Sequence, residues 1–180
     1  MDYKRAVDGE SGARDRVKDL LLKLKSEEPK NPLVMVYLGS TYTLEGRDAW
    51  MPWTKMRKTE RGLDIMDRAM NMGRGHTGKL DYLDRETDIE IKTICAINFT
   101  QVPKMFGRFG QGLELMESIV EDQRYANFSA EQKAEFLYYM GDAAANDERS
   151  DDARRYIREA LELGLDKGLS ARAAEIIEEL

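Results

Sequence analysis

In "GRGHTGKL", Gly73, four intervening residues and then Gly78-Lys79 have the spacing of a loop that wraps phosphate in backbone amides and reaches it with lysine. That chemistry needs Ser or Thr next, to hold magnesium, and a strand in front. Here Leu80 follows the lysine, and Leu63, Met66, Ala69 and Met70 precede the loop at helical spacing. The stretch therefore reads as a flexible loop between helices. His76 and Cys95 are the only histidine and cysteine, so triads built on a second histidine are excluded and a His/Cys zinc site lacks ligands. A Cys95–His76 nucleophile pair would need an accessible thiol, but Cys95 stands among Ile91, Ile94 and Phe99 and reads as a small buried hydrophobe. Asp81, Asp84 and Asp88 share one helical face, yet lack the alternating spacing and central glycine of a calcium loop, so they read as a solvated face. In "IMDRAMNM", Met66 and Met70 fall at core spacing. No catalytic, cofactor-binding or metal-ligating residue is assigned, and the expectation is a chain that is not an enzyme.

Of 180 residues, 42% are hydrophobic and 34% charged, too apolar for wholesale disorder and too charged for a membrane protein. No apolar run approaches the roughly 20 residues of a spanning helix. The N-terminal "MDYKRAVDGESGARD" lacks the apolar stretch of a signal peptide, which points to the cytoplasm, with residues 1–11 expected to be flexible. Net charge is −6 and unevenly spread: 17 basic and 17 acidic residues run through Glu90, then 11 and 17 from Ile91 onward. An acidic second half disfavours nucleic acid as a partner. Only Arg47 to Lys79 runs positive.

Apolar residues recur at helical spacing almost everywhere. Val17, Leu20, Leu21 and Leu24 form one stripe, on a helix that should stop before Pro29. Asn31-Pro32 is a helix start, with Asn as cap and Pro in the first turn. Met35, Leu38 and Tyr42 then line a helix expected to end near Gly46. "SAEQ" at Ser129 is a capping box. Ile91 to Phe99 reads as a buried face, broken around Gln101 to Gly107, and Ala173 to Leu180 as a final amphipathic helix.

"FLYYMGDAAANDERSDDARRYIREALELG" places Leu137, Met140-Gly141, Ala144, Ala153, Ile157 and Ala160 in a large, large-small, small, small, large, small order. It resembles the tetratricopeptide repeat, a helix-turn-helix unit of about 34 residues. "NPLVMVYLGSTYTLEG" resembles the first helix of another unit through Leu38-Gly39 and Tyr42, and "DAWMPWTKMRKTERGLDIMDRAM" is similar to stretches in bacterial proteins of this type. The resemblance implies an all-α, right-handed superhelix of antiparallel helix pairs, about seven to eight helices with a C-terminal capping helix, in a single domain spanning 1–180. It implies a concave groove that binds a protein or peptide, through Leu33, Val36, Ser40 and Thr43 in one unit and Glu135, Tyr138 and Asp142 in the other. Family members that capture acidic peptide tails place Lys, Asn and Arg there; Val36, Ser40, Glu135 and Tyr139 stand instead, so a neutral or basic ligand is expected.

Ala69 fits its repeat position only if about eleven extra residues intervene, so 45–56 is expected to be an insertion within one unit. It carries both tryptophans. Trp50 and Trp53 would fold back as a plug, or, framed by Arg47, Lys55, Arg57 and Lys58, serve as a partner's anchor. The alternatives are a homodimer, through an exposed repeat end or this insert, and a membrane-surface contact through Trp50, Trp53, Lys55, Arg57 and Lys58.

Overall fold

The computed structural model describes residues 2–75 and 86–180, which are overwhelmingly helical, and no helix among them is long and apolar enough to cross a membrane. The chain divides into two compact units, Met1–Gly112 and Leu113–Leu180. Unit 1 contains α1 (Asp2–Val7), α2 (Ala13–Glu27), α3 (Pro32–Asp48), α4 (Pro52–Gly73) and α5 (Thr87–Gln101). Helix α6 (Phe109–Glu121) runs across the division, and unit 2 continues with α7 (Ala130–Asn146), α8 (Ser150–Glu162) and α9 (Lys167–Glu179).

Local signals set the helix boundaries. Asn31 accepts the amides of Leu33 at 2.9 Å and Val34 at 3.4 Å, satisfying donors that the first turn leaves unpaired, while Pro32 needs no partner there. Ser129 and Gln132 form the reciprocal capping box at 3.2 and 3.0 Å. Asp166 caps α9. A short 3-10 turn, Lys104–Phe106, fills the break between α5 and α6. Residues 1–11, expected to be flexible, include the helical turn and a half of α1, whose Ala6 is buried.

Helix α3 is the axle of unit 1. Leu33, Val34, Met35, Val36, Leu38 and Tyr42 leave it no polar side, and it is enclosed by its neighbours: it packs most closely with α4 and also against α2 and α5. Each large apolar side chain so buried contributes about 1.5–3 kcal/mol. Helices α3 and α4 meet backbone to backbone. A methyl group added at Gly39 would lie 2.8 Å from the Gly62 carbonyl oxygen, and one at Gly62 would lie 2.6 Å from that of Gly39. A methyl at Gly46 would collide with Thr59. Contacts pair rising numbers on α3 with falling numbers on α4, so the two helices are antiparallel. In unit 2, Gly141 receives the side chain of Ile157, with Ala153 and Ala160 fully buried.

Residues 45–56, expected to be an insertion, do not form a loop of their own. Helix α3 continues through Asp48 and α4 begins at Pro52, leaving Ala49, Trp50 and Met51 as the link. Pro52 keeps Met51 extended, at φ −85° and ψ 129°, and starts the next helix. Because Gly46 lets the ends of α3 and α4 stay in contact at Thr59, carrying both helices to the link satisfies more backbone than a loop would.

Gly62→Ala is expected to cost about 1–3 kcal/mol, read as a lowered Tm, because helix backbones cannot yield as a side chain can. Gly110→Ala, in α6 with nothing within 4 Å, should be neutral or stabilising by up to about 1 kcal/mol. Equal behaviour of the two variants would refute the close-contact account.

Candidate functional site

The α3 positions expected to face a ligand are interior. Val36 is fully buried, and Leu33, Ser40 and Thr43 are buried too. Tyr3 of α1 donates to the Ser40 hydroxyl at 2.7 Å, which in turn donates to Asn98 Oδ1 of α5 at 3.1 Å; the Thr43 hydroxyl lies 2.8 Å from the same oxygen. Tyr3 also meets the Tyr37 ring edge to face at 4.9 Å. The correction has a simple cause: α1 and α5 flank α3, and an all-round apolar helix is stabilised by cover on every side. In unit 2, Tyr138 is buried, with Glu135 and Asp142 half-buried on the same helix. Burial, followed by the Asp142 carboxylate, raises the Tyr138 phenol above its ordinary value, against the pull of Arg172 on α9.

The candidates for chemistry are dispersed. Cys95 is buried, and desolvation first, then Asp67, raises its thiol far out of the nucleophilic range. Met66 is in the core and Met70 half-buried. Gly73 closes α4 against Ile91, and Asp88 lies in the first turn of α5. His76, Gly78, Lys79, Asp81 and Asp84 lie outside the described residues. Among the described residues no group of acidic, histidine or cysteine side chains could hold a metal ion.

The α3–α4 corner is different. Trp50 is 89% exposed and Trp53 64%, so neither plugs a gap. There is no gap to plug, since Gly46 and Thr59 already close the pair below. Met51 and Met56, which the sequence reading passed over, add to the apolar surface. Met56 is one turn beyond Trp53, and that spacing was the available signal.

The cations around the corner divide into two groups. Lys55 and Arg57 are exposed. Arg47 is exposed as well but tied down, donating to the Val7 carbonyl at 2.7 Å and the Ala6 carbonyl at 3.3 Å, at the C-terminal end of α1. It also bonds Asp48, which Arg14 holds from the other side at 2.9 Å. Lys58 bonds Glu45 at 2.8 Å, and Lys18 bonds it too. The same lysines and Arg61 stand over the Tyr42 ring, Arg61 nearest at 4.3 Å. Lys58 is thus part of an internal charge cluster, whereas Arg61 is an exposed cation that belongs with the corner.

Burial pushes the Glu45 carboxyl up, but the hydrogen bonds and charges of Lys18 and Lys58 outweigh it and hold it below its ordinary value of 4.5. The stability Glu45 contributes is therefore complete above that value and is lost as pH falls through the lower folded one. Glu45→Gln should lower stability at neutral pH by about 1–2 kcal/mol, with the difference from wild type closing in acid; a constant difference in Tm across that range would contradict the ion cluster. Tryptophan emission of the folded protein should lie near that of indole in water and be fully accessible to acrylamide. Blue-shifted, protected emission would restore the plug.

Compared with protein-family models, with curated proteins and with solved structures, the chain matches none.

Proposed function

We propose that this chain is a non-catalytic helical-repeat module that binds a protein or peptide, and that its main contact is the Trp50–Arg61 corner. The observation that carries this reading is the exposure of Trp50 and Trp53 on a three-residue link between two long, tightly paired helices. Indole rings held in water contribute little to the fold. Tryptophan on a rigid support is also the side chain that most often anchors a protein contact, because it covers a large area with few rotatable bonds to freeze. Arg57 and Arg61 follow Trp53 at intervals of four on α4, so an apolar anchor and a short cationic row lie along one face.

The repeat character is supported by the α3/α4 and α7/α8 pairs, each closed by small residues where the tetratricopeptide pattern has them. Stacking of such pairs into a right-handed superhelix belongs to the same proposal. Groove binding is not part of it for α3, whose ligand-facing positions are covered. Glu135 and Asp142 remain as a subsidiary acidic contact on α7 for a neutral or basic segment.

Trp50→Ala with Trp53→Ala should leave helicity and Tm unchanged and remove the proteins that the wild-type chain captures from its source cells. Leu20→Ala, at an exposed apolar residue on α2, is the matched control and should retain them. Capture that survives the double substitution refutes the corner.

A further inference from the structure

The two units carry opposite charge. Met1–Gly112 holds 20 lysines and arginines against 17 carboxylates, a net of +3, whereas Leu113–Leu180 holds 8 against 17, a net of −9; together these give the −6 of the whole chain. The cationic excess of unit 1 has an exposed outlet at the corner. Trp53, Arg57 and Arg61 form a stripe about 12 Å long along α4, at 1.5 Å per residue, and all three are exposed.

Unit 2 carries a matching stripe. On α6, Glu114, Glu117 and Glu121 lie on one face, and all three are exposed. Val120 stands between the last two and is 42% exposed. The other exposed large apolar side chain of unit 2 is Leu161 on α8. It follows Arg154, Arg155 and Arg158 on its own helix, and those cations would repel the corner. Helix α9 presents Glu175, Glu178 and Glu179 with no large exposed apolar residue beside them. On α8 those arginines share the helix with Glu159 and Glu162, whereas α6 has carboxylates on either side of its apolar seat and no cation of its own.

We infer that the corner of one copy docks on the outer face of α6 of a second copy, with Trp53 on Val120 and Arg57 and Arg61 opposite Glu117 and Glu114. The inference rests on the corner being the contact surface and adds its occupant. The spacings agree: the carboxylates at three-residue intervals span about 9 Å from Val120 to Glu114, within side-chain reach of the 12 Å basic stripe. Glu117 makes a 3.9 Å ion pair with Arg149, an exposed contact of small worth. Any acidic surface could answer the corner, but this one is present wherever the chain is and at the same concentration. The contact joins different faces of the two copies, so each copy keeps one unused half and association can continue beyond two.

Sedimentation velocity from low micromolar to near-millimolar protein should show concentration-dependent association, weakened by raised salt as exposed charge pairs are. Trp53→Ala should weaken it at least about tenfold, as loss of an anchor does. Arg57→Glu with Arg61→Glu, and separately Glu114→Arg with Glu117→Arg, should each give monomers, and mixing the two variants should restore association, with both present in equal amounts. That rescue does not follow from misfolding of either variant. A wild-type chain that stays monomeric over the whole range overturns the inference, as does association that the substitutions leave untouched. Monomers whose Trp50→Ala, Trp53→Ala form still loses its captured proteins overturn the second copy as occupant and leave the corner standing. Binding of monomers to phosphatidylcholine vesicles containing phosphatidylserine, lost in that same variant, would instead assign the corner to a membrane surface.

Discussion

Contact between the backbones of Gly39 and Gly62 is the constraint on which unit 1 depends. With no side chain at either position, α3 and α4 approach until carbonyl oxygens occupy the space where β-carbons would stand. That proximity brings Met66 over Gly39, lets Thr43 meet Gly62, and carries the pair on to Gly46 and Thr59. Once α4 is seated so tightly on one side, the remaining faces of α3 are covered by α2, α5 and, through Tyr3, α1. Close packing of this kind responds to a single added methyl because there is no void to receive it.

The polar groups of α3 follow from the same closeness. Ser40 and Thr43 would be costly in an apolar interior, and Asn98 meets both with one carbonyl oxygen while its amide donates to the Ile94 carbonyl at 2.9 Å. Tyr37 donates to Glu90 at 2.6 Å across the same pair of helices. These bonds hold α5 in one register against α3, which apolar contact alone would leave free to slide.

Much of this was legible in the sequence, for identifiable reasons. Helix starts at Asn31-Pro32 and Ser129 depend on residues adjacent in the chain, and the burial of Ile91, Ile94, Cys95 and Phe99 depends on periodicity within one helix. Both are local. The covering of Ser40 is not, since it depends on Tyr3 and Asn98, which lie 37 and 58 residues away. The corner stands out in the sequence through its two tryptophans, but whether they turn inward or outward does not. Sequence spacing does not show whether residues 45–56 loop out or belong to the helices, and that depended on Gly46 fitting against Thr59. Lys58 was grouped with the outward cations because its neighbours in sequence are outward; its partner Glu45 lies 13 residues back on another helix.

Gly46 and Thr59 seal the helix pair one turn short of its end, so Ala49, Trp50 and Met51 have almost no packing duty. Interior positions such as Met66 tolerate few replacements, whereas this link lies outside the sealed interior. Different side chains at those three positions would change what the chain touches and leave its folding intact. The fold thus separates the residues that hold its shape from those that set its contacts, and the second set can diverge, or be redesigned, without reopening the first.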